Sequence, residues 1–421
     1  MTIDLLCKVV DNYGDIGVVY RLAKALSGLD PGLSLRLVVD NLASFRALAP
    51  EIDPAKPLQR LRGWTVAAWD QPAEEPAGAL DGSAKTAPRE PAAAPGAALT
   101  PGAEPETARA LFRRERPRLV IECFACGRPE WLEEILFDPE DPGKRLVVNL
   151  EYLTAEDYAQ EFHRMPSATR SGLVKKSFFM PGFAPGTGGL IVDPGFRKAR
   201  SRFLDPGTRG AARLNALKAA GFEPEPGEGE RFWVSVFSYE RDYARIVADL
   251  AAYGRERPLL ALVASGRSEA CFRKAWEEAG RPFPARFLPF LPQEAWDEVL
   301  LASDFAIVRG EESLARAALA GRPFLWHAYV QEGAHQLVKV RALLARLRPC
   351  FAEPDYALLE ELFLAFNDRL ADGPGTAGRE SLLPLLARES GLAKGFEAFS
   401  RGLLDLGDLA GHLLTFLRDF V

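Results

Sequence analysis

The chain has 421 residues, 48% of them hydrophobic and 26% charged, and a formal net charge of −6. This length suits two domains, and the acidic balance argues against a general nucleic-acid-binding protein, which normally carries a basic excess. No apolar run approaches about 18 residues, and Asp4 and Lys8 interrupt the first hydrophobic stretch. We therefore expect a cytoplasmic protein with no transmembrane helix and no signal peptide.

The first half of the chain alternates between strand and helix patterns. The segments that predict strands and helices follow in the order DLLCKVV, GVVYRLAKALSGL, LSLRLVVD, NLASFRALA, RLVIECF and RLVVNLEYL. This alternation is typical of an open, doubly wound parallel sheet. Residues 71–106 are rich in Pro, Ala, Gly and Glu and cannot bury a core, so we predict a disordered surface insertion there.

A second unit with the same alternation follows the Gly- and Pro-rich stretch PGFAPGTGGLIVDPGF. Its predicted strands are FWVSVFSY, PLLALVAS, ARFLPFL, FAIVRG and PFLWHAY, interleaved with helices such as DYARIVADLAAYGRE and ESLARAALAG. We predict two α/β domains, residues 1–195 and 196–404, whose ligands bind in the cleft between them. The amphipathic segment 405–421 is predicted to be a helix that packs back on the first domain.

The turn DNYGDIG, which joins the first strand to the first helix, carries two aspartates. Gly14 and Gly17 allow a tight turn and close approach of the backbone to a ligand. Asp15 alone can be explained as a helix cap or as a charge that complements the helix dipole. Asp11 is not needed for a cap. The two carboxylates can instead converge on one cationic group, or one of them can orient a ligand while the other acts as a general base.

The stretch VRGEES ends a predicted strand and opens a helix in the second unit. The start of a helix offers unpaired N–H groups for phosphate, to which Ser313 adds a hydroxyl and Arg309 a guanidinium. Glu311 and Glu312 can accept hydrogen bonds from a sugar. The alternative is an ordinary acidic first turn with Arg309 in a surface ion pair.

Aromatic residues recur near the predicted cleft of the second unit. Phe290 and Trp296 flank Gln293, so the rings can enclose a planar base while the amide reads its edge. Phe237 and Tyr239 lie on one side of a strand at its C-terminal end. All of these rings can also be explained as core residues.

The five cysteines do not form a disulfide framework. Cys123 and Cys126 make a CxxC, but no second CxxC or neighbouring histidine completes a zinc set. A redox role would require this CxxC to open a helix after a strand. We interpret the cysteines as small buried hydrophobic residues and expect neither a metal nor a cofactor.

Several longer motifs occur together and in a fixed order: DNYGDIG, NLEYLTAEDY, FFMPGF with TGGL, VFSYE, FLPQ and VRGEES followed by AGRPFLWHAY. As a set they resemble the EarP family, the protein-arginine rhamnosyltransferases that modify bacterial elongation factor P. The resemblance spans nearly the whole chain apart from the Pro/Ala-rich insertion. It implies a GT-B glycosyltransferase with two Rossmann-like domains, which is metal-independent and inverting. The implied donor is dTDP-β-L-rhamnose, and the implied acceptor is an arginine of elongation factor P.

The resemblance also implies roles for individual residues. Asp15 matches the family's candidate base, and Asp11 its neighbour, which we expect to hold the acceptor guanidinium. The residues that match the family's donor contacts are Phe237, Tyr239, Phe290, Gln293, Trp296, Arg309, Glu311, Glu312, Ser313 and Tyr329. Of these, Phe290, Gln293 and Trp296 are expected at the thymine, and Arg309, Ser313 and Tyr329 at the diphosphate.

The chain departs from the family pattern in three places. Glu312 stands where RGEDS has aspartate, Trp296 stands where phenylalanine is common, and residues 71–106 are an addition. The first change can alter the donor geometry, and none removes the expected base. Two alternatives remain open: a GT-B transferase with another nucleotide sugar or acceptor, and a non-catalytic nucleotide-binding protein.

Overall fold

The structure is a computed structural model that describes residues 1–10, 13–70, 107–368 and 380–420. The predicted insertion at residues 71–106 and the predicted site residue Asp11 lie outside the described residues. The strands, numbered in chain order, are β1 (Thr2–Cys7), β2 (Ser34–Val39), β3 (Leu58–Leu61), β4 (Trp64–Ala68), β5 (Leu119–Cys123), β6 (Arg145–Leu150), β7 (Pro166–Ser167), β8 (Val174–Phe179), β9 (Phe232–Val236), β10 (Leu259–Val263), β11 (Ala285–Phe287), β12 (Phe305–Arg309) and β13 (Phe324–His327).

Helices follow most of these strands, as the alternating pattern predicts. They are α1 (Gly14–Leu29), α2 (Leu42–Leu48), α3 (Ala108–Arg114), α4 (Glu130–Leu136), α5 (Tyr158–Phe162), α6 (Pro194–Leu204), α7 (Pro206–Ala219), α8 (Ala244–Gly254), α9 (Arg267–Glu278), α10 (Gln293–Ala302), α11 (Gly310–Ala320), α12 (His335–Leu347), α13 (Glu353–Asn367), α14 (Leu383–Ala387), α15 (Glu389–Asp405) and α16 (Leu409–Arg418). Across the ranges that the structure describes, none of them is long and apolar enough to cross a membrane.

The first sheet has eight strands in the order β3-β4-β2-β1-β5-β6-β8-β7. Its six inner strands are parallel, while the short strands β3 and β7 pair antiparallel at the two edges. From β1 the chain first adds β2, β4 and β3 on one side of the sheet, and it then returns to add β5, β6, β8 and β7 on the other side. The order therefore reverses between β1 and β5, and in open α/β sheets ligands bind beside the C-terminal ends of strands at such a reversal.

The second sheet has five parallel strands in the order β11-β10-β9-β12-β13. Its order reverses between β9 and β12, so the turns that follow these two strands border a second crevice. The stretches VFSYE and VRGEES are those two turns. Two of the stretches singled out in the second unit therefore lie at the place where the topology predicts a ligand.

The last helix of the described chain, α16, packs on the first sheet although it follows the second one in sequence. Its buried leucines join the apolar cluster formed by β1, α1 and β2. The Leu409 N–H donates to the Leu190 carbonyl over 2.8 Å, and Asp408 accepts from the Val192 N–H over 2.7 Å. The chain therefore crosses between the two sheets twice.

One inner strand of the first sheet, β8, has no apolar pattern that predicts it. Its sequence VKKSFF places Lys176 on the sheet, where the ammonium contacts the buried carboxylate of Glu122 over 2.8 Å. Arg128 pairs with the same carboxylate. A charged residue is tolerated in this strand because its partner lies on the neighbouring part of the sheet.

Candidate functional site

Asp15 is the second residue of α1 and lies at the crevice of the first sheet. Its side chain is only 3% exposed, and both carboxylate oxygens accept hydrogen bonds. The backbone N–H of Val10 donates to Oδ2 over 2.7 Å, and the hydroxyl of Tyr152 donates to Oδ1 over 3.1 Å. Tyr13, the residue that precedes the helix, makes no side-chain capping bond. The carboxylate is thus held in one orientation by groups from two different turns.

Tyr152 was not among the residues singled out from the sequence, although it stands in the quoted motif NLEYL. It follows β6, and its ring stacks on Phe124 with the centroids 4.4 Å apart and the planes inclined by 18°. Phe124 follows β5 in a left-handed backbone conformation with φ of 60°. Burial and the neighbouring Asp15 carboxylate raise the pKa of Tyr152, so its hydroxyl remains a proton donor to Asp15.

The turns after β9 and β12 form a cluster of aromatic rings around one guanidinium. The Arg309 guanidinium carbon lies 4.6 Å from the ring centre of Phe237 and 4.9 Å from that of Tyr239. Trp296 packs edge-on against Phe237 at 5.3 Å, and Tyr329 against Tyr239 at 5.7 Å. The structure therefore brings five of the predicted donor contacts together.

The first turn of α11 carries the remaining residues of VRGEES. Gly310 has a φ of 62°, a left-handed conformation that favours glycine, and its carbonyl accepts from the Trp326 indole over 3.0 Å. Ser313 is buried with 6% exposure. Glu311 lies 3.7 Å from the ammonium of Lys339 on α12.

Phe290 and Gln293 lie on the seam between the two halves of the chain. The Phe290 ring is half-exposed and packs edge-on against Tyr13, 5.5 Å away. The Gln293 side-chain N–H donates to the Gly17 carbonyl over 2.9 Å, and its carbonyl accepts from the Lys24 ammonium over 3.0 Å. Both groups of the Gln293 amide are thus engaged by α1, and reading the edge of a base would require these bonds to open.

Glu312 also lies on this seam. Its carboxylate is 2.5 Å from Nε of Arg21 on α1 and 3.5 Å from Nε of Arg316 on its own helix. Arg21 is 4% exposed and makes two hydrogen bonds to Asp297, of 2.7 and 3.2 Å. Burial acts to lower the pKa of Arg21, but Asp297 and Glu312 outweigh it and raise the pKa.

The cysteine pair CxxC does not open a helix. Cys126 follows two residues in left-handed conformation and precedes α4, which begins only at Glu130. Burial raises the pKa of the Cys126 thiol to about 12, and burial also raises that of Cys123. A thiol that stays protonated is a poor nucleophile and metal ligand. Over residues 1–10, 13–70, 107–368 and 380–420, no group of three or more His, Cys, Asp or Glu is placed to hold a metal ion.

Two crevices of this kind, one in each of two doubly wound sheets, define a GT-B glycosyltransferase fold. A solved structure reported as the structural basis for EarP-mediated arginine glycosylation of translation elongation factor EF-P has the same fold. It aligns over 100% of this chain and 99% of its own length, with a TM-score of 0.57 and 22% identity. The predicted α/β architecture with two Rossmann-like sheets is therefore confirmed.

The family model of EarP, the elongation factor P (EF-P) rhamnosyltransferases, matches residues 3–84 and 103–418. The chain belongs to the EarP family. A protein-arginine rhamnosyltransferase of Pseudomonas aeruginosa is 32% identical over 431 aligned residues, which cover 99% of both chains. Another from Pseudomonas putida is 33% identical over 87% of this chain and 86% of its own. The resemblance inferred from the motifs is confirmed, and the protein is a glycosyltransferase.

Proposed function

We propose that this protein transfers rhamnose from dTDP-β-L-rhamnose to an arginine side chain of EF-P, with inversion and without a metal ion. The observation that carries the proposal is the Asp15 carboxylate, which is fixed through both oxygens at the first crevice. The α1 helix that begins beside it packs against α10 and α11 of the second crevice. The family membership supplies the acceptor protein and the sugar.

On the acceptor side, Asp15 provides the negative charge that a guanidinium requires. Arginine is planar, always protonated at neutral pH and binds carboxylates through two N–H groups. For Asp11, which lies outside the described residues, we keep the predicted role of holding this guanidinium. Phe124 and Tyr152 form a stacked pair beside Asp15, and an arginine plane can lie against such rings.

The chemical step joins an arginine nitrogen to the anomeric carbon of rhamnose. As this C–N bond forms on one face, the bond from the anomeric carbon to the diphosphate oxygen breaks on the opposite face, through a transition state with oxocarbenium character. A carboxylate cannot deprotonate a guanidinium in advance, because its pKa is far lower. Asp15 therefore accepts the proton as the bond forms, and dTDP leaves with the bonding electron pair.

On the donor side, the charge that develops on the diphosphate must be stabilised by groups that are already in place. Arg309, the Ser313 hydroxyl, Tyr329 and the N–H groups at the start of α11 provide a cation and hydrogen-bond donors. Phe237 and Trp296 form an aromatic wall at which the thymine is proposed to bind. Since the acceptor is a translation factor, we place the reaction in the cytoplasm.

The proposal is tested by incubating purified EF-P with the enzyme and dTDP-β-L-rhamnose in the presence of EDTA, and then measuring the intact mass of EF-P. We expect an increase by one deoxyhexose, located on an arginine by fragmentation. Parallel reactions with UDP- and GDP-sugars test the donor, and NMR of the glycosylated arginine tests for the inverted, α-configured product. An unchanged EF-P mass with the thymidine donor would contradict the proposal, and modification only after addition of a divalent cation would contradict metal independence.

A further inference from the structure

The interface between the two crevices, called the seam, contains a cluster of charged side chains, of which Arg21, Arg316 and Asp297 are buried and the others partly exposed. It consists of two arginines and three carboxylates: Arg21, Arg316, Asp193, Asp297 and Glu312. Both arginines are almost fully buried, with 4% and 1% exposure. Removing such charges from water is unfavourable unless the geometry pairs them, so the cluster fixes how the surrounding helices pack.

Arg21 is the residue of this cluster that joins three helices. It belongs to α1, whose second residue is Asp15, and it binds Asp297 on α10 through both terminal nitrogens. Its third nitrogen, Nε, faces Glu312 in the first turn of α11. A planar guanidinium can hold the Asp297 carboxylate through two N–H groups while its charge attracts the Glu312 carboxylate at its third nitrogen, which a lysine ammonium cannot do.

Arg21 is one of three residues of the α1 region that contact the second half of the chain from the same side. Tyr13, Gly17 and Arg21 are spaced four residues apart and therefore lie on one side of α1. Tyr13 contacts Phe290 and Gly17 contacts Gln293, both at the entry to α10. The Tyr13–Phe290 contact is exposed, and the Gly17–Gln293 contact is a single neutral hydrogen bond. The contact made by Arg21, in contrast, is buried and charged.

We infer that Arg21 is a positioning residue for the transfer and sets the distance between Asp15 and the donor-binding turn. Glu312 contributes to this positioning through its ion pair with Arg21 and does not bind the nucleotide sugar. This inference rests on the proposed function. It also accounts for the departure from RGEDS, because the longer glutamate reaches across to α1. Misplacement of reacting groups by about 1 Å can lower a rate about a hundredfold, so a loosened seam affects turnover more than donor affinity.

The test compares Glu312→Gln, which removes the charge from a partly exposed side chain, with the matched control Glu298→Gln. Glu298 lies on α10 and pairs with Arg202 at the surface, away from the seam. For each variant we would measure kcat for rhamnosylation of EF-P, affinity for dTDP by calorimetry, and the melting temperature. We expect Glu312→Gln to lower kcat about tenfold or more while the affinity for dTDP stays within about twofold of the wild type. The control should change neither quantity.

Two outcomes would overturn the inference: a loss of dTDP affinity that matches the loss of kcat, which makes Glu312 a donor contact, or an unchanged kcat. If the wild-type enzyme transfers no rhamnose, the proposed function is wrong. The role of Arg21 in spacing the two halves of the chain is then tested by small-angle X-ray scattering of the ligand-free protein. In that case Arg21→Met should increase the radius of gyration relative to the wild type and to Glu298→Gln. Equal radii would exclude Arg21 as the residue that sets the spacing.

Discussion

The turns that follow β1 and β12 occupy equivalent places in the two sheets but carry opposite charges toward their crevices. Each turn joins a buried strand to a helix beside the point where the strand order reverses. In the first, Asp15 is fixed by the Val10 N–H and the Tyr152 hydroxyl. In the second, Arg309 lies between aromatic rings, and the helix start adds unpaired N–H groups.

The comparison shows that the backbone geometry of such a turn does not determine its ligand. The helix start favours an anion in both places because of the N–H groups and the helix dipole. At α1 a protein carboxylate already occupies this favourable position, so the crevice presents negative charge to a ligand. At α11 both acidic residues have cationic neighbours: Glu311 lies near Lys339 and Glu312 near Arg21. Arg309 lies among the aromatic rings at the crevice.

The largest effect is expected when the charge of the first turn is removed. Asp15→Asn keeps the shape of the side chain but removes the group that is proposed to accept the proton, so the transfer rate should fall by about a hundredfold to ten-thousandfold. The affinity for dTDP should remain that of the wild type, because the donor is proposed to bind at the other turn. The measurement is single-turnover rhamnosylation of EF-P, combined with calorimetry of dTDP binding.

Asp40→Asn is the matched control for this variant. Asp40 follows β2 at the same edge of the sheet and accepts a hydrogen bond from the Val9 N–H over 2.8 Å. A comparable loss of rate in Asp40→Asn would show that the effect comes from disturbing the loop that follows β1. Near-normal turnover of Asp15→Asn would remove Asp15 from the role of base and break the proposed contrast between the turns.

The positions of both turns could be predicted from sequence because a continuous apolar strand precedes each one. The run DLLCKVV contains β1, which ends at Cys7, and FAIVRG contains β12, which ends at Arg309. Local patterns of this kind depend on few distant contacts. The cluster of Phe237, Tyr239 and Arg309 could likewise be predicted, since residues at the C-terminal ends of adjacent parallel strands lie side by side.

The partners of individual side chains could not be predicted in the same way. Tyr152 reaches Asp15 because β6 lies two strands from β1 and because Phe124 adopts a left-handed conformation that no local pattern indicates. The row on α1 that includes Arg21 has a visible four-residue period, but the sequence does not specify which helix covers it. For Glu312 the motif predicts a donor contact, whereas the structure pairs its carboxylate with Arg21.

A second prediction concerns Arg309, the positive charge of the turn that follows β12. Arg309→Ala should weaken dTDP binding about tenfold to a hundredfold, because charge-assisted hydrogen bonds to the diphosphate are lost. Arg309→Lys should recover part of the affinity, since a point charge remains without the planar stacking between the rings. Arg257→Ala, which removes an ion pair with Glu389, is the control and should bind dTDP as the wild type does. Unchanged affinity in Arg309→Ala would show that the second turn does not bind the diphosphate.

The smallest effect is expected when the Asp15 carboxylate is kept but loses one of its hydrogen-bond donors. Tyr152→Phe removes the hydroxyl that donates to Asp15 and preserves the ring stacked on Phe124. Because a hydrogen bond to a charged group contributes about 1.5–3 kcal/mol, we expect kcat to fall about tenfold with unchanged dTDP affinity. Tyr158→Phe alters a half-exposed tyrosine of α5 that packs on Phe162, and serves as the control. If Tyr152→Phe retains full kcat, the Val10 N–H and the remaining contacts of Asp15 suffice to orient the base.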